Sequence, residues 1–122
     1  MGHFKQVLTL PSASMPAGNT NTLTGNDPQN NPYLTIGLKV ADLNELLILV
    51  NQTVGTGVLY YIDTADAFGN WFTIATIGTA LTGTGQWNTT LSGANSAASA
   101  FGDYVRLRWS ATATFSATIF GK

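Results

Sequence analysis

The chain is 122 residues long, carries a formal net charge of −1, has no cysteine, and is only 9% Asp, Glu, Lys and Arg, against ~25% in an ordinary soluble domain. These figures exclude a disulfide framework, a thiolate nucleophile and a cysteine zinc site. They also leave no broad basic field to hold a phosphate backbone, so no nucleic-acid partner is expected. Hydrophobic content is 44% and no apolar run approaches the ~20 residues that span a bilayer, so no membrane partner is expected. The first residues lack the apolar core of a signal peptide, and no export signal is expected. Thr, Asn, Ser and Gly replace the missing charges, and such a surface can be buried against a neighbour without stranding ions.

Short runs of β-branched and aromatic residues, punctuated by Gly, Asn and Pro, predict an all-β chain. The first strand is expected at residues 4–10, closed by Pro11. Residues 11–32 have no hydrophobic period and hold Pro16, Pro28 and Pro32 among many Asn, which predicts a long irregular arm. Residues 33–40 alternate cleanly, with Leu34, Ile36, Leu38 and Val40 on one face. Residues 45–53 are apolar on both faces, which predicts a central strand covered from both sides; a short helix over 43–50 is the competing reading.

Residues 58–64 and 71–77 read as a hairpin around the loop 65–70, where Gly69 and Asn70 tolerate positive φ. A further strand is expected at 85–91, with Trp87, Thr89 and Leu91 on one face. Small residues at 93–100 suggest a linker or a single helical turn. The last pair of strands is expected at 104–110 and 112–120. In the first of these, Val105, Leu107 and Trp109 share one face and Tyr104, Arg106 and Arg108 the other. The result is one domain, a two-sheet β-sandwich or jelly-roll-like barrel of about eight strands. Its core is expected to include Leu34, Ile36, Leu38, Ile48, Val105, Leu107 and Trp109.

Catalytic signals are weak. The one histidine, His3, sits beside the terminus and is assigned no role. Asp63 and Asp66 flank the 65–70 loop, where calcium is one reading and Asx-type turn chemistry the other. Asn-X-Thr at 51–53 and 88–90 is read as a chance match to the glycosylation sequon. Among the three tryptophans, Trp109 belongs to a core face, and Trp87 is the candidate exposed aromatic for stacking on a sugar. No enzyme activity, metal or cofactor is expected.

A contact surface is the stronger expectation. Arg106 and Arg108 concentrate positive charge on one strand face, either as a solvated face or as forks for a partner's carboxylates or carbonyls. The candidate partner or oligomer contacts are Pro16, Asn19, Pro28, Asn30, Pro32 and Tyr33 in the arm, with Tyr104, Arg106 and Arg108 in the strand. So neutral a surface favours association into a homo-oligomer.

The segments AspTyrValArgLeuArgTrp at 103–109 and ThrPheSerAlaThrIlePheGlyLys at 114–122 resemble the end of small β-rich structural proteins of tailed bacteriophages. The hairpin at 60–71 suits the same group, most closely its capsid decoration, or head auxiliary, proteins. The resemblance covers residues 58–122 and carries no catalytic signature. It implies a homo-oligomer, a trimer at capsid three-fold sites, that is made in the host cytoplasm. It further implies that this oligomer sits on the virion exterior against the major capsid protein and stabilises the shell. The alternatives are a carbohydrate-binding β-sandwich and another virion part such as a tail or fibre subunit.

Overall fold

The computed structural model describes residues 4–15, 38–92 and 100–122. Among them the chain forms eight strands and no helix: β1 (Lys5–Met15), β2 (Leu38–Lys39), β3 (Glu45–Val54), β4 (Tyr60–Ala65), β5 (Trp71–Thr76), β6 (Gly85–Ser92), β7 (Tyr104–Trp109) and β8 (Ala113–Gly121). They make two antiparallel four-stranded sheets, ordered β1-β8-β3-β6 and β2-β7-β4-β5. The first strand pairs with the last, the second with the seventh, the third with the sixth and the fourth with the fifth. One long hairpin of strands, wound over itself in this nested way, is a jelly roll. The all-β expectation and the two-sheet sandwich hold.

The core lies between the sheets and follows the period of two. On β7, Val105, Leu107 and Trp109 are buried; on β3, Leu46, Ile48 and Val50; on β8, Phe115, Ala117 and Ile119. Four residues expected in the core, Leu38, Ile48, Val105, Leu107, are buried, and so is a fifth, Trp109. Leu34 and Ile36 lie outside the described residues. Trp109 and Tyr60 both meet Phe115 edge-on, at ring-centre distances of 5.0 and 5.2 Å. A polar link crosses the core: the Tyr60 hydroxyl donates to Gln52 Oε1 at 2.8 Å, and Gln52 Nε2 donates to the Gly83 carbonyl at 2.8 Å. Burial without a bonded partner would penalise each of these groups, and the chain of bonds removes that penalty.

Two local expectations are corrected. Strand β1 does not stop at Pro11 but runs on to Met15. Pro11 and Ser12 fall in a register shift between Leu10 and Ala13 on a strand paired on one side only, where the missing N–H interrupts no ladder. The strand expected at 45–53 is found as β3, and the competing helix over 43–50 is not. Strand β3 is central in its sheet, yet it is covered on one side alone: Leu49 is 38% exposed and Asn51 is exposed. A two-layer sandwich has no third layer, so every sheet keeps an outer face, even where the sequence is apolar.

Candidate docking face

The outer face of the β2-β7-β4-β5 sheet holds the most organised polar cluster among the described residues. Because Val105, Leu107 and Trp109 point inward, Tyr104, Arg106 and Arg108 of β7 point outward. Pairing of β7 with β4 sets Arg106 opposite Asp63 and Arg108 opposite Tyr61. Pairing of β4 with β5 sets Thr73 beside Asp63, across a register shift that inserts Ile74 as an extra residue on β5.

Asp63 is the hub. Its Oδ2 accepts from Arg106 Nε and from Arg108 Nε, each at 2.8 Å. Its Oδ1 accepts from Thr73 Oγ1 at 2.8 Å and from Arg108 Nη2 at 3.2 Å, while that Nη2 also donates to Thr73 Oγ1 at 2.8 Å. Each guanidinium lies over an aromatic ring: Arg106 over Trp71 at 4.4 Å and Arg108 over Tyr61 at 4.1 Å. Stacked in this way the two arginines roof the carboxylate, which is 1% exposed although it sits on an outer face. The two cations and one anion leave this cluster with a single positive charge.

Burial alone would push the Asp63 pKa up. The hydrogen bonds from Arg108, Arg106 and Thr73, with the charge on Arg108, outweigh burial and hold it below the ordinary value. A carboxylate so saturated with donors stays ionised at neutral pH and is a poor proton acceptor. The arrangement offers rigid recognition: two forks and two rings in fixed positions.

The β4–β5 loop joins the two strands that carry Asp63 and Thr73. Asp66 accepts from the backbone N–H groups of Phe68 and Asn70 at 2.8 and 2.9 Å, and from Asn70 Nδ2 at 2.9 Å. These bonds, Asn70's first, hold the Asp66 pKa below the ordinary value. Gly69 completes the turn at φ 84°. The loop so braced presents Phe68, which is 90% exposed.

The structure therefore sorts the expected site residues. Tyr104, Arg106 and Arg108 share one face as expected, but the arginines are not a free solvated pair: Asp63 and two aromatic rings engage them. Asp63 and Asp66 do not converge on a cation; Asp66 does turn chemistry, and among the described residues no group of three His, Cys, Asp or Glu could hold a metal ion. Trp87 is not an exposed aromatic. It faces inward on β6, half-buried, with its ring stacked on Tyr60 at 6.4 Å. Pro16, Asn19, Pro28, Asn30, Pro32 and Tyr33 lie outside the described residues, as do His3 and residues 93–99.

Sequence reasoning missed Asp63, Thr73, Tyr61 and Trp71 as members of this face. The signal present was the pair Tyr61 and Asp63, two apart on a strand, matching Arg106 and Arg108 two apart on another. No family model, no curated protein and no solved structure matches the chain.

Proposed function

We propose that this protein is a non-enzymatic structural subunit that docks on the outside of an assembled shell, in the manner of the phage decoration proteins its C-terminal half resembles. One observation carries the reading: Arg106 and Arg108 are locked by Asp63 onto Trp71 and Tyr61 before any partner arrives. Tyr, Trp and Arg are the residues in which contact hot spots are enriched. Holding them in place spares about 0.5–1.5 kcal/mol of ordering per side chain on binding. Phe68 on the braced loop supplies an apolar projection on the same hairpin. A subunit that binds the assembled state and not the free shell protein stabilises the assembly by mass action. The jelly roll is used by viral capsid domains and lectins alike, so the fold supports the reading only by analogy.

The carbohydrate-binding alternative keeps one observation in its favour. A groove of about 260 Å³ on the other sheet is lined by Trp87 with Asn51, Gln86, Asn88, Ser116 and Thr118. Against it, the Trp87 ring turns inward onto Tyr60, away from the exposed Asn51, Gln86 and Asn88.

The test is co-sedimentation of the purified chain with empty shells of the virus that encodes it. The expected result is saturable binding at many copies per shell, weakened by Phe68→Ser, a change at an exposed loop tip that leaves the core untouched. Absence of shell binding, together with glycan binding lost on Trp87→Ala, would replace the decoration reading with the lectin one. Binding at a few copies per particle would assign the chain to a tail or fibre.

A further inference from the structure

We infer that the outer face of the β1-β8-β3-β6 sheet is a self-association surface that takes a second copy of this chain across a two-fold axis, sheet face on sheet face. This contact lies on the opposite side of the sandwich from the docking face and does not depend on it.

Register and burial place the residues. Thr9, Thr118, Leu49 and Asn88 form one row across the four strands, and Ser116, Asn51 and Gln86 form the next across three. No charged side chain stands in either row. The charges of this sheet, Lys5 and the Glu45–Lys122 ion pair, stand at one end of it.

A two-fold contact sets the same patch against itself. Any charge near the axis then meets its own like and is repelled. The docking face has a net positive centre, so two copies repel there. The hydroxyl and amide face carries no such penalty. Ser, Thr, Asn and Gln are each donor and acceptor at once, so identical rows can pair with one another. Ion-bearing rows cannot.

Area agrees with this. Leu49, 38% exposed, stands at the middle of the face and lines a groove there together with Asn51, Gln86, Asn88, Ser116 and Thr118. Four strands about 4.8 Å apart, each with roughly eight residues at about 3.3 Å, project to roughly 500 Å². Two such faces remove on the order of 1,000 Å² from water, which reaches the lower bound for a specific interface. A contact at the small end of the range is expected to be weak, so its test needs high protein concentration.

Sedimentation equilibrium of the full chain, over a concentration range spanning about 1–100 μM, tests the inference. The wild type is expected to form dimers. Leu49→Lys, which sets two ammonium groups against each other near the axis, is expected to weaken the dimer at least about tenfold. Phe68→Ser, on the other side, is expected to leave it unchanged. Thr118→Lys, in the same row, serves as a second variant if dichroism shows Leu49→Lys unfolded. A wild type monomeric at about 100 μM, a trimer, or a dimer indifferent to both lysines would overturn the inference. Shell binding that survives Leu49→Lys but not Phe68→Ser would separate this contact from the docking face. Loss of shell binding alone would leave the dimer standing.

Discussion

Replacing the Asp63 carboxylate with an amide, Asp63→Asn, probes the cluster with little change of volume. The carboxylate accepts from Arg106 Nε, Arg108 Nε, Arg108 Nη2 and Thr73 Oγ1. The amide keeps one acceptor and turns its NH₂ donors toward a guanidinium that also only donates. Removing one partner of a buried ion pair costs about 3–5 kcal/mol. The arginine side chains are 16% and 18% exposed and regain some contact with water, which lowers the figure to about 2–4 kcal/mol. With a urea m-value of about 2 kcal/mol/M the unfolding midpoint falls by about 1–2 M, read by tryptophan fluorescence.

The pH dependence gives an independent check. The folded-state pKa of Asp63 is below its ordinary value of 3.8. Its contribution is therefore fully present above the ordinary value and is lost as the pH falls through the folded one. The gap between wild type and Asp63→Asn is then widest at neutral pH and closes as the solution is acidified past the ordinary carboxylate range. A penalty under about 1 kcal/mol at neutral pH, the range of surface positions, would refute the hub role. A gap that stays constant on acidification would refute the electrostatic account of it.

Two further outcomes follow from the core. Trp109→Ala removes a ring that is 1% exposed and packed edge-on against Phe115, and should destabilise by about 3–5 kcal/mol in thermal unfolding. Tyr60→Phe leaves the buried Gln52 Oε1 without its donor and should cost about 1–2 kcal/mol in urea unfolding. Burial pushes the Tyr60 phenol up, so the hydroxyl remains a donor across the neutral range and this penalty should not vary there.

Periodicity along the chain was enough to specify the fold class and much of the core. The alternation in β7 determines which side chains go inward, because each strand residue can face only one of two ways. It placed Val105, Leu107 and Trp109 in the core and Tyr104, Arg106 and Arg108 outside, and the structure agrees. Turn chemistry around Gly69 and Asp66 was legible for the same reason: its partners lie within a few residues of each other. What an outward residue meets is a different matter. Asp63 lies 43 and 45 residues before the arginines it joins, and only the winding of β4 beside β7 brings them together. Trp87 turned inward and Leu49 outward because the layers that cover a strand belong to other parts of the chain. Local periodicity determines which side chains share a face; the tertiary structure decides what covers that face, since burial and pairing are contacts between distant residues.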